Sequence, residues 1–156
     1  MKTRRFLVLL LVVVLAVTML SPVAYAAKKK KKTYYQIFID RATNVMTVFT
    51  RKEDQPGWDI AWSDKCSTGN PYWPTQSGRF LVIKRKSSIR FDGEKHKYAL
   101  FFGPHVRMMI SAHPKFSKKD YRYLGGQCTM GDVWLSSSRA KWLYKKIPNG
   151  TEVYIF

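Results

Sequence analysis

Residues 138–156 read SRAKWLYKKIPNGTEVYIF and join a predicted helix to a predicted strand. Ala140, Leu143, Tyr144 and Ile147 recur at the spacing of one helical face, and the serines at 136–138 can cap the helix. Pro148-Asn149-Gly150 ends the helix, since proline and glycine both interrupt helical backbone. The alternating residues 151–156 then predict a strand, so this stretch indicates a helix packed beside a β-sheet.

Upstream segments are short and rich in β-branched and aromatic residues, which predicts further strands. The predicted strands are 34–40, 45–50, 58–66, 78–86, 97–102 and 106–111. Turn and loop residues separate them, and the segments 34–40 and 45–50 are typical of a hairpin. We therefore expect a mainly β fold, a sandwich or barrel, with one C-terminal helix before the last strand.

The first 26 residues have the pattern of a secretory signal peptide. A basic start precedes an apolar run from Phe6 to Leu20, and Ala24-Tyr25-Ala26 is typical of a cleavage site. The run is shorter than the ~20 residues that span a bilayer, so an uncleaved membrane anchor is the less favoured alternative. Residues 27–33 form a predicted polylysine tether, and residues 34–156 form one domain.

Positive charge is the main feature of the composition, with a net charge of +18. Residues 1–26 hold three of the 28 lysines and arginines and none of the acidic residues, so the remaining 130 residues carry +15. This charge favours polyanionic partners. Export disfavours nucleic acid and favours anionic cell-wall polymers, while the lysine run leaves a membrane-surface role open. We expect a monomer.

Two cysteines, Cys66 and Cys128, suggest one disulfide in an exported chain. The bond would stabilise the fold by about 4 kcal/mol, provided that the two Cα atoms lie within about 7 Å. Buried thiols are the alternative. No cysteine and histidine spacing indicates zinc, and we predict neither a metal site nor a cofactor.

Three segments resemble the L,D-transpeptidase (YkuD-like) catalytic domain family. Residues 66–71 and 74–80 resemble its STGkp…TPTGtF block, and residues 138–156 resemble its C-terminal helix and strand. The resemblance covers residues 34–156 and implies a β-rich domain that acts on peptidoglycan. Family members attack a tetrapeptide stem with a histidine-activated cysteine and form 3→3 cross-links, chemistry that needs a thiolate and backbone donors for an oxyanion.

The family motif Ser-His-Gly-Cys-(apolar)-Arg-Leu aligns with residues 129–135, TMGDVWL. Thr129 replaces serine and Gly131 is kept. Met130, Asp132 and Trp134 stand at the positions of the histidine, the cysteine and the arginine. Upstream, Ser111 stands at the position of a further family histidine. The resemblance therefore implies an impaired enzyme and leaves enzymatic activity uncertain.

Two substitutes for the lost nucleophile can be considered. Attack by Asp132 on an amide would give a mixed anhydride, which is uphill from the amide. Cys128, with His113 or His105 as the base, could reach the same cleft, but a structural cysteine is favoured. We expect an exported, peptidoglycan-associated domain, and the alternative is a non-catalytic protein that binds wall polymer or a wall enzyme.

Overall fold

The computed structural model describes residues 31–114 and 124–156, and its elements are mainly strands. In chain order, the elements are β1 (Thr33–Asp40), β2 (Val45–Lys52), β3 (Asp59–Lys65), β4 (Thr68–Gly69), β5 (Gly78–Leu81), β6 (Lys84–Phe91), β7 (Glu94–Phe101), β8 (Met109–Ala112), β9 (Gln127–Thr129), β10 (Val133–Leu135), α1 (Ser137–Lys146) and β11 (Glu152–Ile155). The predicted mainly β class, with one helix before the last strand, is confirmed for the described residues.

Within residues 31–114 and 124–156, the strands form three sheets, none of which closes into a barrel. A five-stranded sheet has the order β3-β2-β1-β11-β5, and a four-stranded sheet has the order β10-β8-β7-β6. The short strands β4 and β9 pair in parallel. The first and last strands, β1 and β11, also lie side by side in parallel, with Ile37 opposite Val153.

The main core is made of apolar residues that alternate along the strands. The five-stranded sheet contributes Ile37, Ile39, Met46, Val48, Val153 and Ile155, and the four-stranded sheet contributes Leu100, Ile110, Val133 and Leu135. Ala140, Leu143 and Ile147 add the buried face of α1 and its end, and α1 contacts β7, β8 and β10. Ser136 caps α1 by accepting a hydrogen bond from the Arg139 amide, as predicted.

One predicted strand, 78–86, is divided into β5 and β6. The Val82 amide bonds to Thr151 beside β5, whereas the next amide, Ile83, bonds to Phe101 in β7. The chain therefore passes from one sheet to the other at Val82 and Ile83. The expectation of a single strand was wrong, because periodicity indicates extended backbone without indicating which sheet it joins.

The hairpin of β6 and β7 is longer than the sequence pattern predicts. Asp92 and Gly93 form its turn with φ angles of 51° and 76°. Tyr98, within β7, also has a positive φ of 58°. This backbone conformation interrupts the alternation of buried and exposed side chains along the strand. His96 is buried and Lys97 exposed, whereas residues 99–101 are all buried.

The predicted signal peptide lies outside the described residues, as does most of the predicted tether. Thr33 already belongs to β1, and the Lys32 carbonyl accepts a hydrogen bond from Glu53. Within residues 31–114 and 124–156, no helix is both long and apolar enough to cross a bilayer.

Candidate functional site

The aligned motif forms a tight turn between β9 and β10. Thr129 holds this turn: its hydroxyl donates to the Asp132 carbonyl and accepts from the Gly131 amide at 3.2 Å. Gly131 has a φ of 107°, a conformation that residues with a Cβ rarely adopt. The turn places Met130 at the surface, 36% exposed, and directs Asp132 into the protein.

Asp132 is a fully buried carboxylate, with 1% of its surface exposed. The indole N–H of Trp134 donates to its Oδ2, and His96 Nδ1 lies 3.6 Å from the same oxygen. The second oxygen, Oδ1, has no hydrogen-bond partner among the described residues. Burial of a polar atom without a partner is costly, so Oδ1 is an unusual feature of this site.

The electrostatics of Asp132 follow from this burial. Burial raises the pKa of Asp132 to about 6, and the hydrogen bond from Trp134 opposes the shift. Burial also lowers the pKa of His96, which keeps the imidazole neutral at pH 7. In the described parts of the chain, His96 is the sole basic side chain within 4.0 Å of the Asp132 carboxylate, so this carboxylate has no permanent positive partner.

Histidine 96 is a site residue that the sequence analysis treated as ordinary. It lies on β7 opposite Ile89, and its Nδ1 is 3.1 Å from the hydroxyl of Ser111. The sequence signal that could have placed it was Asp92-Gly93, a typical hairpin turn. Recognising that turn would have paired β6 with β7 and brought His96 to the neighbouring strand β8.

His113 also reaches the site, but through Trp134. Its ring lies 4.8 Å from the Trp134 ring in an edge-to-face contact, and its Nδ1 is within hydrogen-bond distance of the Pro114 carbonyl. His105 lies on a different cavity, beside Arg107. The structure therefore brings His96 and His113 to the motif, and it places His105 elsewhere.

The suggested disulfide between Cys66 and Cys128 is not formed in the structure. Cys66 is wholly buried in the core, where burial raises its pKa to about 12. Cys128 lies at the surface, and its sulfur interacts with the side chain of Ser67. Because consecutive side chains of an extended segment point in opposite directions, contact with Ser67 places Cys128 on the side away from Cys66.

The Cys128 thiol shares a cavity with Asp132. Partial burial raises the pKa of Cys128, the Ser67 hydrogen bond opposes this shift, and the Asp132 charge adds to it. This cavity has a volume of about 200 Å³. Its walls include three carboxylates, two aromatic rings and one imidazole, from Asp92, Glu94, Asp132, Phe91, Trp134 and His96.

A larger cavity, of about 450 Å³, lies on the other side of Met130 and Gly131. Tyr72 and Trp73 line it and are 89% and 47% exposed. The Arg107 guanidinium lies 4.0 Å from the centre of the Trp73 ring. The cavity thus offers aromatic faces and one positive charge beside the motif turn.

The loop that carries these aromatic residues is held in place by the segment Ser67-Thr68-Gly69. The Gly69 amide donates to the Thr75 hydroxyl at 2.8 Å, and the Thr68 hydroxyl donates to Asn44 at 2.7 Å. A Cβ on Gly69 would lie 2.1 Å from the Trp73 carbonyl oxygen, so only glycine fits. The segment therefore packs directly against the backbone of residues 73–75, and it positions the wall of the larger cavity.

The described residues contain no group of three or more histidine, cysteine or acidic side chains arranged to hold a metal ion. The smaller cavity has three carboxylates in its wall, but they are not placed as a metal ligand set.

Comparison with protein families gives one match, over residues 34–155, to the family YkuD, described as the L,D-transpeptidase catalytic domain. Curated protein sequences gave no match.

Solved structures share the fold at low sequence identity. An L,D-transpeptidase from Mycobacterium smegmatis matches with a TM-score of 0.64 and 15% identity, over 80% of this chain and 59% of that chain. An L,D-transpeptidase from Stackebrandtia nassauensis matches with a TM-score of 0.61 and 16% identity, over 85% of this chain and 61% of that chain. A fused zinc-dependent amidase/peptidase/peptidoglycan-binding-domain protein from Clostridium acetobutylicum matches with a TM-score of 0.58 and 21% identity, over 78% of this chain and 51% of that chain. The chain thus spans between 51% and 61% of these relatives.

Proposed function

Because the chain belongs to the L,D-transpeptidase catalytic domain family, we propose that it is an exported domain that associates with peptidoglycan and does not itself transfer acyl groups. Active members of the family form 3→3 cross-links between peptide stems of peptidoglycan. In this proposal the chain shares their fold and their polymer but not their reaction. The signal-like N-terminus supports export.

Asp132 is the observation that carries this proposal. At the motif position where the family has its cysteine, the chain presents a buried carboxylate held by Trp134 and His96. A carboxylate that attacked an amide would have to form a mixed anhydride. This intermediate lies higher in free energy above the amide than the thioester that a cysteine forms. Met130, at the position of the family histidine, has no group that transfers protons.

Cys128 is a poor replacement for the missing nucleophile. Attack requires the thiolate, whereas burial and the Asp132 charge both raise the pKa of this thiol. At neutral pH the protonated form therefore predominates. This reasoning supports binding without covalent chemistry.

The larger cavity supports a binding role. Exposed aromatic rings stack on sugar faces, and arginine pairs with carboxylates. Tyr72, Trp73 and Arg107 bring both kinds of group to one cavity beside the motif turn. Peptidoglycan carries both sugars and peptide carboxylates.

The catalytic half of the proposal is tested with a disaccharide-tetrapeptide. The reduced protein is incubated with it, and mass spectrometry measures cross-linked dimer and released D-alanine. We expect neither product. A product that disappears in Cys128→Ala would establish a relocated nucleophile and overturn the proposal.

The binding half is tested by sedimentation with purified peptidoglycan. We expect the protein to sediment with the polymer. Trp73→Ala should weaken binding about 5- to 150-fold, if the loss of one stacking contact on an aromatic ring costs about 1–3 kcal/mol. Trp58→Ala is the matched control, since Trp58 is also an exposed tryptophan, 37% exposed, but lies outside the larger cavity. Equal losses in both variants would contradict a role for this cavity.

A further inference from the structure

The basic residues of this protein are unevenly distributed over its strands and its helix. Strands β6 and β7 and helix α1 together carry ten lysines and arginines but one acidic residue, Glu94. Strands β1, β2 and β3, by contrast, carry three basic and three acidic residues. Because β7 contacts both β6 and α1, the excess positive charge is concentrated on neighbouring elements.

Three of these basic residues lie on one face of the hairpin of β6 and β7. Arg90 is directly opposite Lys95, and Ser88 is directly opposite Lys97. Directly opposed residues of two paired strands share a face, and so do alternate residues of one strand. All four side chains are exposed. We call Arg90, Lys95 and Lys97 the hairpin trio.

The hairpin trio faces away from the smaller cavity. Phe91 and His96 line that cavity. Arg90 precedes Phe91, and His96 lies between Lys95 and Lys97, so the alternation of side chains along a strand directs the trio to the other face of the hairpin. The trio is therefore separate from the motif turn.

The pairing of Arg90 with Lys95 is unfavourable for the protein alone. Like charges directly opposite one another on two strands destabilise a sheet. Within residues 31–114 and 124–156, none of the trio lies within 4.0 Å of a carboxylate that would offset the repulsion. An anion bound between these side chains would remove it, so the arrangement favours ligand binding over stability.

Phosphate groups suit the chemistry of the trio. The planar guanidinium of Arg90 can donate to two phosphate oxygens at once, and the lysines add two further charges. The Ser88 hydroxyl can donate to a third oxygen. Lys95 and Lys97 start about 7 Å apart along the strand, a spacing comparable to that of phosphates joined by a three-carbon linker.

The surroundings of the trio favour a polymer without bases or lipid chains. Every residue of β6, β7 and α1 is described, and none of these elements exposes a large apolar side chain. Attachment to a bilayer surface buries apolar side chains, and single-stranded nucleic acids stack their bases on aromatic rings. Neither kind of contact is offered beside the trio.

We propose that the hairpin trio, together with the Ser88 hydroxyl, is a binding site for the phosphate groups of a linear polyol phosphodiester polymer. The site is independent of the function proposed above. It shares no residue with the larger cavity, and it requires neither peptidoglycan nor acyl transfer.

The test uses a short synthetic poly(glycerol phosphate) as the probe and polyglutamate of the same charge as its carboxylate counterpart. Isothermal titration calorimetry measures both affinities. We expect saturable binding of the phosphate polymer and clearly weaker binding of polyglutamate. Equal affinities would overturn the proposal, because they would reflect net charge alone.

Lys95→Gln removes one charge of the trio. We expect it to weaken binding of poly(glycerol phosphate) about fivefold, since one basic side chain at an anionic surface contributes about 1 kcal/mol. Lys52→Gln is the matched control, because Lys52 is an exposed lysine at the end of β2, and it should bind as the unchanged protein does. Equal losses in the two variants would refute the site. Binding to peptidoglycan freed of phosphate polymers should not change in Lys95→Gln, which separates this test from that of the larger cavity.

Melting temperatures provide a second measurement on the same variants and show that they fold. Without polymer, Lys95→Gln should melt at a higher temperature than the unchanged protein, because the repulsion from Arg90 is gone. With polymer, the unchanged protein should gain more than the variant, since a ligand stabilises the folded state that binds it. A free variant that melts at a lower temperature would contradict the proposed conflict between stability and binding.

Two other sources of phosphate are compared with the polymer. Sedimentation with phosphatidylglycerol vesicles and titration with oligothymidylate measure binding to a membrane surface and to a nucleic acid. We expect weaker binding of both, with no dependence on Lys95. Tighter, Lys95-dependent binding of either one would assign the trio to that partner and overturn the proposal.

Discussion

Asp132 makes the folding stability depend on pH. The pKa of its carboxyl is about 6 in the folded protein against 3.8 for an ordinary aspartate. Between these values the folded state binds more protons than the unfolded state, so stability falls as the pH rises from about 4 to 6. The loss amounts to about 3 kcal/mol, and it persists at neutral pH.

Asp132→Asn should therefore remove this loss. Relative to the unchanged protein, we expect the variant to gain about 3 kcal/mol in its free energy of unfolding between pH 4 and pH 7, because the amide does not titrate. Denaturation by urea at pH 4, 5, 6 and 7 measures the difference. His96, whose lowered pKa destabilises the fold at acidic pH, is present in both proteins. A difference that is constant with pH would contradict the burial of Asp132.

The two thiols should differ in reactivity from each other. With a thiol reagent at pH 7, we expect slow reaction of Cys128 and none of Cys66, because burial raises the pKa of Cys66 to about 12 and encloses its sulfur. Both should react after denaturation without reductant. Cys128→Ala assigns the slow reaction. Two thiols that stay unreactive after denaturation would instead establish the disulfide suggested by the sequence.

The sequence aligned residues 129–135 with the family motif but gave no indication of the partner of Asp132. In the structure, Met130, Asp132 and Trp134 line the smaller cavity together with His96. His96 was missed because it lies 36 positions away, just before the start of the predicted strand 97–102. A contact between strands depends on register, which local patterns do not contain.

The hairpin of β6 and β7 is the element on which the smaller cavity depends, since its tip supplies Phe91, Asp92, Glu94 and His96. Gly93 in the turn has a φ of 76°, and a Cβ there would touch nothing within 4 Å. Gly93→Ala should therefore cost about 1–2 kcal/mol through backbone strain alone. Thermal unfolding measures the loss.

Gly57→Ala is the control for this prediction. A Cβ at Gly57 also meets nothing within 4 Å, and its φ lies outside the positive range. We expect little change in its melting temperature. Equal effects of the two substitutions would mean that the turn at Gly93 is not left-handed.

Helix α1 is an element that the sequence predicted well, because its signals are local. Ser136 was expected within the cap and accepts the Arg139 amide. Ser136→Ala should destabilise the fold by about 1 kcal/mol, whereas Ser136→Gly should cost only a few tenths. Urea denaturation distinguishes the two. The division between β5 and β6 was not predictable in this way, since it depends on which sheet the backbone joins.

For the whole molecule, the net charge of +15 on residues 27–156 predicts how binding of the exported protein responds to salt. Adsorption of the protein to purified, anionic cell-wall material should weaken steadily between about 0.05 M and 0.5 M salt, because screening shortens the range of charge attraction. Sedimentation measures it. Binding to peptidoglycan freed of anionic polymers should respond less, since it depends on aromatic contact. Identical salt responses would mean that charge alone holds the protein to the wall.

The parallel pairing of β1 with β11 has a consequence for the order of folding. Strand β11 lies between β1 and β5, so residues near 155 complete the interior of a sheet that begins at residue 33. During synthesis, the hairpin of β1 and β2 can form early, but β5 has no neighbour in this sheet until the last strand leaves the ribosome. The nascent chain therefore stays incompletely folded until translation has passed β11, and contacts of such long sequence separation favour slow folding.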